Sequence, residues 1–377
     1  MRILLINPFS SPAAVRQKNL AKSLVKQGHE VTLMLPSFDQ YSQYAPVAPD
    51  LEGVRIIHPL QFKGKHMEWI FAPYMFSAIL KALTKKYDVI HAFRPTPFSG
   101  LIGYLLARLK GVPFILEHGD IEWETMANLR THPGYRVSIV RNLERFLTKR
   151  ADAITVMNSH VREYVMTNYN PVVPVELITN GVDTMLFAPG ETSRRRELEH
   201  VLKTRKIVIF HGKLDNVEHI FDLIDVMRKL PPMYGLVVIG WGSQLDVLKQ
   251  RAENIKVIDR ILFTGKLEQN DLPEYLRAAD VLVAPFARTK GIEHASNLKV
   301  FEYLAMAKPV VASAVGDLPS ILKDCAILYD PGDLDALAQA IQSVDRSLGE
   351  KSRAKAMEYD WGAIAKKMEA LYERVIR

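Results

Sequence analysis

Short runs of aliphatic side chains alternate along the 377 residues with longer stretches in which apolar residues recur every three or four positions. The first pattern marks strands buried on both faces and the second marks amphipathic helices. Their alternation predicts parallel sheets built from βαβ units, an α/β fold. In the first half the expected strands are Arg2–Asn7, Glu30–Leu35, Val54–His58, Val89–Ala92, Phe114–Glu117, Ala153–Met157 and Val175–Ile178. Helices between them are expected to include Ala14–Gln27, Ser99–Lys110 and Val137–Arg150. Gly28 falls where a left-handed residue closes a helix. Pro189-Gly190 and the charged run Glu191–Lys206 then interrupt the pattern, and a linker is expected there. A second alternation has strands at Ile207–His211, Leu236–Ile239, Ile261–Thr264, Val281–Ala284, Pro309–Ala312 and Ala326–Tyr329. No close repeat relates the halves, so their likeness is architectural: two doubly wound sheets facing a cleft.

Hydrophobic content of 48% with 24% charged residues suits a soluble globular chain with a large core. The one cysteine, Cys325, excludes an internal disulfide and a cysteine-only metal cluster, and fits a reducing compartment. It opens an apolar run and reads as a buried, inert thiol. The start of the chain has only four consecutive apolar residues before Asn7-Pro8, so no secretory signal is expected. The longest apolar stretch, Trp69–Leu83, contains Pro73 and Lys81 and is too short to span a bilayer. The expected location is the cytoplasm, in solution or at the surface of the cytoplasmic membrane. Charge sharpens this picture. Of the net +7, residues 1–187 hold 21 basic and 15 acidic side chains and residues 188–377 hold 28 and 27. A basic half suits phosphate-bearing acceptors, anionic lipid or nucleic acid, and equally an ordinary solvated surface. The aromatic segment Met67–Lys81, flanked by Lys63, Lys65, Lys85 and Lys86, reads as a membrane-interface helix or as a buried connecting helix.

Ligands of open parallel sheets bind at the carboxyl ends of strands. Polar residues and glycines gather at those exits: Ser10 and Ser11, Arg94, His118 and Asp120, and Asn180 in the first half. In the second half they are Gly212-Lys213, Gly240-Trp241-Gly242 and Gly265-Lys266. Ser296 opens a helical segment containing Asn297, Leu298, Lys299 and Glu302, which ends before Pro309. A helix N-terminus suits a diphosphate, and a carboxylate along the same helix suits ribose hydroxyls. An ordinary amphipathic helix gives the same pattern. Asp333-Leu-Asp335 is formally a metal-binding DxD, but after Pro331-Gly332 it reads as a helix start.

Ala279–Pro285, Ser296–Ser313 and Gly316–Ser320 together resemble the donor site of the retaining glycosyltransferases of family 4. Leu20–Leu24 with Gly28–Val31, Tyr87–His91, Ala151–Ser159, Ile178–Asp183 and Tyr359–Trp361 are similar to further stations of that family, over nearly the whole chain. The resemblance implies two Rossmann-like domains (GT-B) at 1–187 and 188–358, with a C-terminal helix, 359–377, crossing back to the first. It implies transfer of a hexosyl group from a UDP- or GDP-linked sugar, without metal or other cofactor, to a glycan, lipid-linked or other anionic acceptor. Such a role belongs to polysaccharide or glycolipid synthesis. Peripheral contact with an anionic membrane is a further expected partnership; nucleic acid is not. By the same resemblance His118 would lie beside the sugar and Lys213 would stabilise the departing diphosphate; Lys299, on the helix beside that diphosphate, reads as the source of the charge missing at Glu218 or as a surface lysine. Gly212, Gly240, Gly242, Gly265, His294, Ser296, Asn297, Leu298 and Glu302 would bind the donor; Ser10, Ser11, Arg94, Asp120 and Asn180 would face the acceptor. The sequence departs from the family pattern at His294, where a glutamate is usual, and at Glu218, where a lysine is usual. Those departures keep open a sugar-nucleotide 2-epimerase and a decayed binding protein.

Overall fold

The computed structural model describes residues 1–8, 14–36, 51–60, 67–128, 134–215, 218–268, 270–288 and 298–376. The chain divides into two compact units, one formed by Met1–Asn180 with Trp361–Arg377, the other by Gly181–Glu293 with Asn297–Asp360.

The first unit holds strands β1 (Arg2–Ile6), β2 (Glu30–Met34), β3 (Arg55–Ile57), β4 (Val89–Phe93), β5 (Phe114–His118), β6 (Ala153–Val156) and β7 (Val175–Leu177). They pair in parallel in the order β3-β2-β1-β4-β5-β6-β7. Helices α1 (Val15–Lys26), α2 (Met67–Leu83), α3 (Ile102–Lys110), α4 (Glu122–Asn128), α5 (Gly134–Thr148) and α6 (Ser159–Tyr169) connect them. Leu4, Ile6, Ile90, Ala92 and Leu116 form one core with Tyr74 and Ala78 of α2, Leu106 of α3 and Leu147 of α5. The alternate positions face the other way, where His91 meets Tyr372 and Glu117 meets Arg16. Gly28 closes α1 with φ +88°, a conformation that suits glycine. The expected helix at Ser99 begins instead as a π-turn over Pro97–Leu101, where the Leu101 N–H reaches back to Thr96 O and Ser99 Oγ donates to Arg94 O.

The second unit holds β8 (Lys206–His211), β9 (Tyr234–Ile239), β10 (Ile261–Gly265), β11 (Val281–Ala284), β12 (Val310–Ser313) and β13 (Ile327–Tyr329), all parallel, in the order β10-β9-β8-β11-β12-β13. Its helices are α7 (Arg194–Leu202), α8 (Glu218–Val226), α9 (Leu245–Asn254), α10 (Leu272–Arg277), α11 (Leu298–Ala305), α12 (Leu318–Ile321), α13 (Leu334–Ser343) and α14 (Ser347–Met357). One sheet face packs on α7, α10 and α11, the other on α8, α9 and α13. The linker expected at Glu191–Lys206 is therefore corrected. Its charges conceal Leu198 and Leu202, four apart, which bury one stripe of α7 in the core.

The last helix, α15 (Trp361–Ile376), returns to the first unit and packs along α1. Ile364, Ala365, Met368 and Leu371 are buried, Gln27 Nε2 donates to Gly362 O, and the Tyr372 hydroxyl lies 2.7 Å from His91 Nδ1. Of the segment Met67–Lys81, Tyr74 and Ala78 are core, while Phe76 and Leu80 stand in solvent. Cys325 is buried just before β13, and Asp333 accepts the Asp335 and Ala336 N–H groups at the start of α13. No helix among the described residues is long and apolar enough to cross a membrane.

Candidate functional site

Both sheets have the doubly wound order whose switch point, between their first and fourth strands, opens a crevice at the carboxyl ends. In the second unit that point lies between β8 and β11. The three exits on its left knit together through backbone: Gly212 N–H donates to Ile239 O, Leu214 N–H to Trp241 O and Gly240 N–H to Gly265 O. This closeness explains two glycines. A Cβ on Gly240 would stand 1.9 Å from Gly212 O, and one on Gly242 would stand 2.4 Å from the Leu214 carbonyl carbon. The expected donor glycines are thus brought together by loop packing. Gly265, at φ +73° with open space around it, turns the chain out of β10.

From the other side α11 docks on the end of β8. The hydroxyl of Tyr303, itself fully buried, accepts the His211 N–H at 2.8 Å, and the two rings meet edge to face. One turn of α11 then places Lys299 and Glu302 over the same exit. Lys299 Nζ lies 4.6 Å from the centre of the Phe210 ring and 5.1 Å from that of Phe286. It is so near the backbone that a Cβ on Gly212 would come within 2.6 Å of it. Burial pushes its ammonium down to about 8, opposed by the Glu302 carboxylate. Glu302 Oε2 lies 2.9 Å from His211 Nε2, with both side chains less than one fifth exposed. His211 is a site residue that the sequence reading passed over as the end of a strand. Its signal was an imidazole closing an aliphatic run immediately before Gly212-Lys213. Lys213 is brought to a neighbouring position: 68% exposed, 3.2 Å from Asp215 and above the Trp241 ring. Leu298 is the first residue of α11, whereas His294, Ser296 and Asn297 lie outside the described residues.

The first unit corrects two expectations. His118 has no exposed surface: its Nε2 lies 3.0 Å from Thr148 Oγ1, and Nδ1 lies 4.0 Å from Glu144 Oε1. Glu144 accepts from the Tyr169 hydroxyl, which meets Tyr164 and through it the Trp123 indole. Burial holds the His118 imidazolium down to about 3 and lifts the Glu144 carboxyl to about 7. A side chain enclosed by α5 and α6 cannot touch a ligand in this conformation. Asn180 is likewise 5% exposed, its side chain 3.5 Å from Arg16. Arg94 and Asp120 are brought together, a quarter exposed, as an ion pair of 2.6 Å that Glu122 extends at 2.9 Å. Arg94 sits at φ +73°, uncommon for a residue with a side chain. Ser10 and Ser11 lie outside the described residues. Asp335 of the DxD pairs with Lys229 at 2.6 Å on the surface.

Comparison with known proteins now defines the class. A solved sucrose-phosphate synthase from Thermosynechococcus elongatus shares the fold with a TM-score of 0.76 and 21% identity, covering 100% of this chain and 99% of that one. The architecture is the GT-B fold of glycosyltransferases. The "Glycosyltransferase Family 4" model matches residues 13–186 and the "Glycosyl transferases group 1" model residues 192–360. An uncharacterized glycosyltransferase of Methanocaldococcus jannaschii is 26% identical over 96% of this chain and 93% of its own. A GDP-mannose-dependent alpha-(1-6)-phosphatidylinositol monomannoside mannosyltransferase of Mycolicibacterium smegmatis is 27% identical over 87% of this chain and 84% of its own. The chain belongs to glycosyltransferase family 4.

Proposed function

We propose that this glycosyltransferase moves a hexosyl group, with retention, from a UDP- or GDP-linked sugar to a lipid-linked or other anionic acceptor. The observation that carries the donor half is the convergence of Gly212, Lys299, His211 and Glu302 at one switch point. The diphosphate lies against the Gly212 backbone and the start of α11, where Lys299 and the helix dipole meet its charge. Glu302 receives the ribose hydroxyls, and His211 fixes the carboxylate that does so. No carboxylate in this group stands as a nucleophile. The acceptor oxygen therefore attacks the anomeric carbon on the face that the diphosphate leaves, and a leaving phosphate oxygen takes the acceptor proton. The acceptor binds to the first unit, whose charge excess suits a phosphate-bearing molecule at the cytoplasmic membrane face. The mycolicibacterial relative, a mannosyltransferase named for phosphatidylinositol monomannoside, supports a lipid acceptor.

The test is incubation with a panel of UDP- and GDP-sugars, with and without polyprenyl-phosphate and glycolipid acceptors. Acceptor-dependent release of UDP or GDP is expected. Interconversion of the nucleotide sugar without acceptor would make the protein a 2-epimerase, and binding without turnover would make it a decayed site.

Two outcomes follow from the assigned roles. Glu302→Gln should weaken donor binding by about 1.5–3 kcal/mol, the worth of a hydrogen bond to a charged group, while leaving the melting temperature nearly unchanged. Calorimetry with the donor checks this, and unaltered affinity removes Glu302 from the site. Turnover should also survive EDTA, because side-chain cations and a helix terminus face the phosphates. Abolition by EDTA and recovery with magnesium or manganese would refute a metal-independent reaction.

A further inference from the structure

The turn after β9 holds an aromatic residue where the surrounding backbone leaves no freedom. Trp241 stands between Gly240 and Gly242, the two glycines against which the Gly212 and Leu214 carbonyls pack. Its own carbonyl accepts the Leu214 N–H at 3.0 Å, and Asp215 accepts the Ser243 N–H at 2.9 Å. The turn is therefore fixed on both flanks, yet the indole it carries is 48% exposed. Tryptophan is highly buried on average, and an indole held rigidly in solvent at the carboxyl end of a strand suits a flat ligand. Two ammoniums lie over the ring, Lys213 Nζ at 5.4 Å and Lys266 Nζ at 6.0 Å from its centre. Lys213 comes from the β8 exit, where Lys299, His211 and Glu302 gather. Lys266 comes from the β10 exit, where Gly265 has open space around it.

We propose that Trp241 is the platform on which the base of the donor nucleotide stacks, and that with Lys266 at its rim it selects guanine. The inference rests on the reading of Glu302 and Lys299 as the ribose and diphosphate groups, and adds the base, which that reading leaves open. Every nucleobase has a π-face that an indole can stack upon, and a purine overlaps more of a two-ring indole than a pyrimidine does. Guanine then offers paired acceptors, O6 and N7, on one edge, the pair that a lysine ammonium recognises. Adenine places an amino group beside N7 and opposes that ammonium, and uracil has no second acceptor beside its O4. Long lysine stems let both ammoniums leave the ring face for the edge of a stacked base. Asp215 holds Lys213 at 3.2 Å beside the β8 exit, so Lys266 is the one assigned to the base edge.

The test is calorimetric titration of the full chain with GDP, UDP and ADP, with indole emission followed in parallel. GDP should bind on the order of 10-fold more tightly than UDP or ADP, the discrimination given by one good contact to a base edge. Trp241→Ala should lose roughly 10- to 100-fold in GDP affinity, the range for one stacked base, and Trp241→Phe, which keeps an aromatic face, should lose less. Trp69, Trp123 and Trp361 belong to the first unit, so Trp241 is the reporter of the second. GDP should quench emission in the wild type and leave it unchanged in Trp241→Phe. Lys266→Met should reduce the preference for GDP over UDP by about 10-fold, and Lys266→Arg should keep it. Equal weakening of GDP and UDP in Lys266→Met would make this lysine a phosphate contact and overturn its part in the choice. Thermal melting confirms that each variant is folded. A preference for UDP or ADP overturns the choice of guanine, and GDP affinity unchanged in Trp241→Ala overturns the platform. In either case a loss of affinity in Glu302→Gln keeps the donor reading. Binding of none of the three nucleotides removes the donor reading together with this one.

Discussion

Lys299→Met is expected to cut turnover by about 100-fold and, at the same time, to make the protein more stable. The turnover loss is that of removing one preorganised group from a developing charge. The gain in stability follows from burial. In the folded chain Lys299 loses its proton near pH 8 instead of at 10.5, because its ammonium is held between Phe210 and Phe286. Between those values the unfolded chain holds more protons than the folded one, so stability rises with pH. The penalty is fully present below pH 8 and fades by about pH 10.5; removing the ammonium recovers about 1–3 kcal/mol at neutral pH. Turnover of the wild type should decline as pH rises through about 8, when the cation proposed to face the diphosphate is lost. Lys299→Arg keeps its charge there and should carry the profile upward. Urea unfolding at pH 7 and steady-state kinetics across pH 6–9 read both effects. A methionine variant that is less stable and equally active would make Lys299 a structural residue.

This opposition between stability and activity separates what the sequence made legible from what it did not. The strands were legible because each is an aliphatic run buried on both faces, cut off by Gly, Pro or Asn; β11 falls at Val281–Ala284 as its run predicts. The glycines of the second unit were visible as unusual, but not their reason. That Gly240 must lack a Cβ depends on Gly212 O, which lies 28 residues away along the chain. His118 and His211 show the limit most sharply. Each is an imidazole on the last residue of a strand, and locally they cannot be told apart. Covered by Thr148, Glu144 and Tyr169, His118 became core; beside the opening turn of α11, His211 remained at the surface of the site. The decision lay in which helix came to cover the strand end, a tertiary fact. Charge misled in a similar way at α7, where two leucines outweighed the surrounding arginines and glutamates.

The largest loss of stability is expected from Arg16→Met, at the start of α1. The Arg16 guanidinium is 5% exposed and grips Glu117, 2% exposed, through Nε at 3.0 Å and a second nitrogen at 2.7 Å. It also donates to the carbonyls of Ile178 and Thr179, so a single side chain ties α1 to the ends of β5 and β7. Without it a carboxylate is left buried without a counter-charge and two carbonyls lose a donor. Breaking a buried pair from one side costs about 3–5 kcal/mol. Removing the carboxylate as well, in Arg16→Met/Glu117→Gln, should return part of that loss, because an amide in the same place costs much less to bury than an ion. Because a chain of two units need not unfold in one step, local hydrogen exchange is the suitable readout. Amides of β5 and β7 should exchange faster in the single variant and recover in the double, while those of β8 and β9 serve as the internal reference. Exchange in β5 and β7 within about 1 kcal/mol of the wild type would show that water replaces the guanidinium, and that Arg16 is not what holds these strand ends in place.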